Sequence, residues 1–324
     1  MKKRIVTIGG GSGHFNLLSA LKKLDHQITS VCPITDSGGS TGILKEEYAD
    51  FGVNGFLGDA GKCLLALGNE KVTQELKYKF TQGPFVGHSL KNILFSGLIA
   101  QADYPQALEK IKLLLNISEE NFVWPASFDQ TTLNVKMGEV TISGETYIDK
   151  VDRMPFWNPK KHPIKKIWLE PQVKISKQVS EAIEKADYIL IAPGDLFTSI
   201  LPVLLVGDMK EVFAKNQAKI ILFVNLMTKR GETDGFSAFN IIEWIEKTID
   251  KKIDLSVCNS AEISTDIKEL YKSKEGKDPI CLPHEIPIER KDGITSFDML
   301  GSDQEGHVIH DPQKIEKFLK DNIK

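Results

Sequence analysis

A glycine-rich turn after the first predicted strand constrains this chain most. Residues 4–8 (Arg-Ile-Val-Thr-Ile) have the composition of a buried strand, and Gly9-Gly10-Gly11-Ser12-Gly13 follows at once. The apolar spacing over residues 15–24 then predicts a helix. This order places backbone N–H groups and the positive end of a helix around an anion. It predicts a phosphate or ribose site; the alternative is a tight turn that only packs strand against helix.

A similar glycine-rich turn follows a second predicted strand, residues 28–34. Asp36 follows that strand, and Ser37-Gly38-Gly39-Ser40-Thr41-Gly42 continues the loop. In a Rossmann-type sheet, an acidic residue in this place reaches the ribose hydroxyls of a ligand. A solvated turn with an Asx cap is the alternative. Two such turns after consecutive strands favour a ligand that carries phosphate.

Strands and helices alternate through most of the 324 residues. Such alternation is typical of a parallel sheet covered by helices. The region from about 122 to 170 differs, with short β-like runs and four prolines, and Pro171 follows it. We therefore predict one α/β domain over residues 1–324, with a Rossmann-like, mostly parallel sheet, helices on both faces and a small hairpin-rich insertion at about 122–170.

Composition argues against several classes of function. The 41 basic and 44 acidic residues give a net charge of −3, which offers no electrostatic basis for binding nucleic acid or a membrane surface. The longest apolar runs are far too short for a signal peptide or a membrane-spanning helix. The four cysteines are far apart, show no metal-ligand spacing and predict no disulfide framework. A cytoplasmic protein is expected, and a homo-oligomer is one open alternative for its assembly.

Two further segments offer polar side chains near the predicted strand ends. Asp59 precedes a predicted helix and is a candidate N-cap. Asp36 and Asp59 together are alternatively candidate ligands for Mg²⁺ bound to phosphate oxygens. His88 and Asn92 are four residues apart and share a helix face, where they point to ligand binding or, for His88, to capping or a core role.

Two later predicted strands also end in polar, glycine-bearing loops. In open α/β sheets, ligands bind outside the carboxyl ends of the strands. Four such loops would line one crevice. The candidate ligand-binding residues in the two later loops are Pro193, Gly194, Thr198, Ser199, Asn225, Met227 and Thr228.

Standard catalytic and cofactor motifs do not match. In the G-x-G-x-x-G register, the third glycine falls on His14 or Asn16, which argues against an NAD-dependent redox enzyme. A P-loop and a His-Glu-x-x-His helix are also missing from the sequence. The chain displays binding residues more clearly than an acid, a base or a nucleophile, and the catalytic residues stay unknown.

Taken together, these loops resemble the YvcK/CofD-like family over residues 5 to about 311. The resemblance is carried by the two glycine loops, by Gly58-Asp59, by Gly87-His88-Ser89-Leu90 with Asn92, and by the loops that begin at Pro193 and Asn225. The serine-containing second loop is similar to the YvcK branch, the gluconeogenesis factors.

That resemblance implies a Rossmann-like cytoplasmic protein that binds a nucleotide sugar such as UDP-N-acetylglucosamine. It further implies a role in cell shape and wall synthesis during gluconeogenic growth, and that Tyr271 contacts the uridine. The alternative that it implies is a Mg²⁺-dependent transferase of the CofD type, which makes coenzyme F420.

The sequence departs from the family pattern at several charged positions. Ile43, Gly61 and Ile309 stand where the family has arginines, Lys91 replaces a glycine, and Asp195 replaces a serine. Arginines make bidentate phosphate contacts that lysine reproduces poorly. The departures therefore predict weak binding of the usual UDP-sugar, or a different ligand.

Overall fold

The core is a seven-stranded parallel sheet, as the alternation predicted. The computed structural model describes residues 1–37, 40, 42–44, 57–155, 157–158, 162–280 and 293–324. In chain order, the strands of this sheet are β1 (Arg4–Ile8), β2 (Gln27–Cys32), β3 (Phe122–Pro125), β7 (Tyr188–Ile191), β8 (Lys219–Phe223), β9 (Leu255–Asn259) and β10 (Ile294–Phe297). Two small antiparallel sheets contain β4 (Thr132–Met137), β5 (Val140–Ser143) and β6 (Ile164–Glu170), and β11 (Leu300–Ser302) and β12 (Val308–His310).

Helices cover the sheet. The described helices are α1 (Gly11–Leu21), α2 (Leu57–Leu67), α3 (Glu70–Leu76), α4 (Leu90–Ala100), α5 (Tyr104–Leu115), α6 (Glu145–Asp149), α7 (Lys177–Lys185), α8 (Leu201–Leu204), α9 (Met209–Lys215), α10 (Ala238–Ile249), α11 (Thr265–Glu275) and α12 (Pro312–Asn322). A 3₁₀ turn occupies Val151–Arg153, and a π-helical turn at Leu196–Ile200 leads into α8.

The strand order places a reversal beside β1. The sheet runs β10-β9-β8-β7-β1-β2-β3, so the chain moves outward from β1 to β3 and then returns to the other side of β1 with β7. The central strands are buried because helices pack on both sheet faces, which explains their nearly continuous apolar sequences. Open α/β sheets bind ligands at such a reversal point. The loops after β1 and β7 therefore lie where a ligand is expected.

The insertion begins later than the sequence indicated. Phe122–Pro125 forms β3 and pairs in parallel with β2, so this segment belongs to the main sheet and not to the insertion. Its short aromatic run does not reveal from sequence which sheet it joins. The three-stranded antiparallel sheet that follows, β4 to β6, is the hairpin-rich element that the prolines and turns predicted.

The two ends of the sequence meet beside the reversal point. Helix α12 packs against α1. Asn16 Nδ2 donates to the His310 carbonyl oxygen at 3.1 Å, and the buried His310 Nε2 lies 3.0 Å from the Val224 carbonyl oxygen. Burial lowers the pKa of His310 to about 4, so the ring is neutral and donates to that carbonyl. These bonds hold the β11–β12 hairpin over the carboxyl ends of the central strands.

Candidate functional site

The first glycine turn has a shape that side chains would destroy. Gly11 has φ +70°, a left-handed conformation, and its N–H donates to Asp59 Oδ1 at 2.9 Å. A Cβ on Gly10 would overlap the Asp59 carboxylate, and one on Gly13 would overlap the Pro193 carbonyl oxygen. The turn is therefore held between α2 and the loop after β7, with Gly11 facing open space.

One cavity of about 450 Å³ lies beside the loops that follow β1 and β7, next to the reversal in strand order. It brings together predicted residues from the first, third and fourth loops, and Tyr271 from α11. Its lining consists of Ser12, Gly13, Asn16, Pro193, Gly194, Asp195, Asn225, Leu226, Met227, Tyr271, Glu275, Lys277, Asp303, His307, Val308, Ile309 and His310. We call it the first cavity.

Two hydrogen-bond arrangements shape the walls of the first cavity. Gly194 N donates to Asn225 Oδ1 at 3.0 Å, and Asn225 Nδ2 donates back to the Gly194 oxygen at 2.7 Å. The Tyr271 hydroxyl accepts the Val308 N–H at 2.8 Å, which ties α11 to β12. Asn225 and Tyr271 therefore act first as positioning residues for the cavity walls.

Asp195, the unusual acid after Gly194, shares a lysine with Asp149. Lys229 Nζ lies 3.4 Å from Asp195 Oδ2 and 2.6 Å from Asp149 Oδ1. Burial opposes the charge on Lys229, but the two carboxylates prevail and raise its pKa. Burial, aided by Asp195, raises the pKa of the neighbouring Glu232 well above its usual range. Lys229 therefore offsets part of the negative charge that Asp195 brings to this loop.

A second cavity of about 620 Å³ lies on the other side of Ser12, which lines both. The described residues of its lining include one acid, Asp36, and four lysines. Its lining consists of Ser12, Phe15, Asp36, Ser40, Gly58, Lys62, Leu65, Leu76, Lys77, Lys79, Gly87, Ser89, Lys91 and Asn92. The second cavity is thus suited to an anionic group.

Lys91 is the buried cation of the second cavity. It is 7% exposed, and its Nζ donates to the Gly58 carbonyl oxygen at 3.3 Å. Burial, with the nearby charge of Lys62, lowers the pKa of Lys91 to about 8. A buried ammonium favours an anion beside it.

The predicted His88 and Asn92 meet at Ser40, from the second loop. His88 Nδ1 lies 2.9 Å from Ser40 Oγ, and Asn92 Nδ2 donates to the same oxygen at 2.8 Å. Ser89 caps α4 by accepting the Asn92 N–H at 3.2 Å. The second loop and α4 therefore form one wall of the second cavity.

The acids proposed for Mg²⁺ have other contacts. Asp59 accepts the Gly11 N–H and lies 3.6 Å from Lys62 Nζ, while Asp36 lines the second cavity. A Mg²⁺ ion at Asp36 and Asp59 stays a prediction, and it would have to compete with Gly11 and Lys62 for Asp59.

Some of the other predicted residues form hydrogen bonds within the protein, and others lie outside the described residues. Gly38, Gly39 and Thr41 lie outside the described residues. Ser37 docks onto the insertion, with its hydroxyl 3.1 Å from Thr146 Oγ1. The hydroxyls of the buried Thr198 and Thr228 bond to Glu232 and to the Asp278 N–H, and the Ser199 N–H donates to Asp195. Their strand-end position alone did not indicate which way they face.

Sequence reasoning missed most of the cationic wall. Lys62 is in α2, Lys91 is in α4, and Lys77 and Lys79 follow α3, away from the glycine turns that guided the predictions. No turn motif marks them, so only the tertiary structure brings them together. Within the described part of the chain, no helix is both long and apolar enough to cross a membrane.

A parallel sheet with ligand-sized cavities at its strand-order reversal defines the class of Rossmann-like binding proteins. Residues 5–295 match the family described as 2-phospho-L-lactate transferase CofD. A gluconeogenesis factor of Halalkalibacterium halodurans is 31% identical over 325 residues, which cover 98% of this chain and 96% of that protein. A relative from Thermoanaerobacterium thermosulfurigenes, whose name assigns the same role provisionally, is 33% identical over 98% of this chain and 95% of its own length.

Solved structures agree with these sequence matches. A crystal structure of a protein from Bacillus halodurans superposes with a TM-score of 0.88 at 29% identity, over 99% of this chain and 100% of that one. A second crystal structure from the same organism, titled as a member of the upf0052 family, gives a TM-score of 0.87. The chain therefore belongs to the YvcK/CofD-like family, which includes the gluconeogenesis factors.

Proposed function

We propose that this protein binds a nucleotide sugar, such as UDP-N-acetylglucosamine, across both cavities. The observation that carries the proposal is that the two cavities share Ser12 at the N-terminus of α1. A diphosphate over this turn would be held by backbone N–H groups and the helix dipole. The base and ribose would then occupy the first cavity, and the sugar the second.

The charges of the two cavities favour this orientation. The lining of the first cavity contains Asp195, Glu275 and Asp303 against Lys277 and His307, so it suits uncharged base and ribose groups better than phosphates. Lysines surround the second cavity, which suits the phosphate nearest the sugar. Tyr271 lines the first cavity, and because its hydroxyl already accepts the Val308 N–H, a contact with the base would use its ring.

The biological role in the proposal follows the relatives. The names of the gluconeogenesis-factor relatives support a role in gluconeogenic growth. The proposed role as a regulator of cell shape and wall synthesis follows from the family resemblance. The proposed location is the cytoplasm, where nucleotide sugars are made. Binding would then report the supply of wall precursor.

A thermal-shift and calorimetric panel tests the ligand. UDP-N-acetylglucosamine should raise the melting temperature more than UDP, GDP or NAD, and Gly11→Asp should abolish the shift. Gly11 faces open space, so the new carboxylate would project into the anion site; its positive φ adds strain, which a melting curve without ligand measures. No shift with any uridine nucleotide at millimolar concentration would overturn the ligand assignment.

One observation also favours the CofD-type transferase as a second candidate. The second cavity adjoins the first and has room for an acceptor beside a bound nucleotide. Electrostatic positioning could support group transfer without a dedicated nucleophile. Calorimetry with Mg²⁺ and guanosine diphospholactate, followed by a turnover assay with a deazaflavin acceptor, separates the two. Binding without turnover would reject the transferase.

A further inference from the structure

A buried cluster of one histidine and two cysteines lies directly behind the first glycine turn. His14 Nδ1 is 3.5 Å from Cys63 Sγ, and Cys63 Sγ is 3.5 Å from Cys32 Sγ. One ligand atom from each of the three residues lies within 4.8 Å of the other two. All three side chains are fully buried, although they come from α1, β2 and α2. The proposed nucleotide site uses none of them.

We propose that His14, Cys32 and Cys63 form a structural site for a divalent, sulfur-preferring cation, with zinc as its natural occupant. In a tetrahedral zinc site, bonds of about 2.3 Å to sulfur and about 2.0 Å to nitrogen separate the ligand atoms by about 3.5–3.8 Å. The separations of Cys63 Sγ from His14 Nδ1 and from Cys32 Sγ, both 3.5 Å, already match this spacing. A metal would need only small side-chain adjustments.

The surroundings orient the ligands in the way that metal sites require. His14 Nε2 lies 2.8 Å from Thr7 Oγ1 and 3.3 Å from Ser30 Oγ, which leaves Nδ1 directed at Cys63. Such outer hydrogen bonds fix the ring orientation of metal-bound histidines. Ser30 Oγ is also 3.8 Å from Cys32 Sγ, where it can hydrogen-bond the bound thiolate, and a water would complete the four ligands.

Charge balance selects a divalent ion. Two thiolates and a neutral imidazole carry a charge of −2, so a divalent cation makes the buried site neutral, whereas a monovalent one leaves a net charge that is costly to bury.

The site would also stiffen the ligand cradle. Cys32 ends β2, just before the second loop, and Cys63 is one turn after Asp59, which holds Gly11. His14 follows the glycine turn itself. A bound ion would therefore join the three elements that surround Ser12.

Metal content of the protein as purified tests the proposal. We expect about one zinc ion per chain, retained in a Cys258→Ser/Cys281→Ser variant that keeps only the two proposed thiols, and lost in Cys32→Ala and Cys63→Ala. Cys258 is a matched control because it is a buried thiol on β9. Equal zinc in all variants, or substoichiometric zinc in the unmodified protein, would overturn the proposal.

A second measurement does not depend on whether the cysteine variants fold. Unmodified protein refolded with Co²⁺ should show thiolate-to-cobalt charge-transfer bands and tetrahedral ligand-field bands, and the control variant should show both. The intact mass of the purified protein tests the competing possibility, a disulfide between Cys32 and Cys63. A mass lower by two hydrogens would show that disulfide and would contradict the metal site. Absence of the cobalt bands would also reject it.

Discussion

Lys91 Nζ occupies the space that a side chain at position 61 would fill: a Cβ built on Gly61 would lie 2.6 Å from it. The family resemblance places an arginine at position 61 and a glycine at position 91. In the sequence, these are two unrelated departures from the family pattern. In the structure they are one exchange, because α2 and α4 face each other there and the cation comes from the opposite helix.

The exchange predicts a positive coupling between the two positions. Gly61→Arg should destabilise the protein by about 1–3 kcal/mol, since it crowds Lys91 and adds a like charge. Combining it with Lys91→Ala should recover at least about 1 kcal/mol of that loss. Urea unfolding of the two single variants and the double variant measures the coupling. Strictly additive effects would mean that the two side chains do not share one space.

Anion binding in the second cavity should weaken as the pH rises through about 8. Lys91 loses its proton there, and only the protonated form attracts an anion. Calorimetric titration with UDP-N-acetylglucosamine from pH 6.5 to 9.5 measures the trend. Lys91→Met should weaken binding at pH 7 and flatten the profile, whereas Lys110→Met, on the exposed part of α5, should preserve it. A flat profile for the unmodified protein would contradict the role given to Lys91.

Glu145 should make the protein less stable as the pH rises from about 4.5 to 7. Burial and the charge of Asp36 raise the pKa of Glu145 to about 7 in the folded state, from 4.5. The folded state therefore binds the proton more tightly, and stability falls between the two values by up to about 3 kcal/mol. Unfolding free energies across this range, compared for the unmodified protein and Glu145→Gln, reveal the contribution.

The control for that experiment is Glu139→Gln, because Glu139 has a 90% exposed side chain in the β4–β5 turn. It should leave the pH dependence unchanged. The assignment fails if Glu145→Gln retains the same fall in stability between pH 4.5 and 7.

Gly13→Ala should disrupt the glycine turn without any backbone strain of its own. Its Cβ would overlap the Pro193 carbonyl, which cannot move as a flexible side chain would. We expect a loss of about 1–3 kcal/mol and loss of ligand-induced thermal shift. Gly97→Ala, in α4 with open space around it, should instead stabilise by up to about 1 kcal/mol. Normal ligand binding by Gly13→Ala would place the ligand away from this turn.

Asn225→Asp should damage the first cavity although it is nearly isosteric. The carboxylate still accepts the Gly194 N–H, but it sets a second negative oxygen against the Gly194 carbonyl, where Asn225 now donates. An unsatisfied, repelled pair costs about 1–3 kcal/mol. Chemical denaturation together with nucleotide affinity measures both consequences. Unchanged stability in Asn225→Asp would show that the reciprocal pair does not hold the loop.

The sequence predicted most of the scaffold because its signals are local. The glycine turn after β1 and the loops after β2, β7 and β8 each contain turn-forming residues that mark them in the sequence. The parallel sheet then brings these loops to one edge. Phe122–Pro125 was misplaced because a four-residue strand carries no sign of its partner. Thr198 illustrates the limit within a correct loop, since only packing shows that its hydroxyl faces Glu232.

The pairs that distinguish this chain were not predictable in the same way. Gly61 and Lys91 are thirty residues apart, and His14 and Cys63 are 49 apart. Their proximity results from helices that pack side by side, for which a single sequence offers no register. The lysines of the second cavity were missed for the same reason.

The bond between Asn16 and His310 joins residues separated by 294 positions, and both line the first cavity. No fragment that stops before His310 can close this cavity. A fragment that lacks β12 would therefore have an incomplete first cavity. A ligand that binds in this cavity should accordingly stabilise the main sheet and the β11–β12 hairpin together.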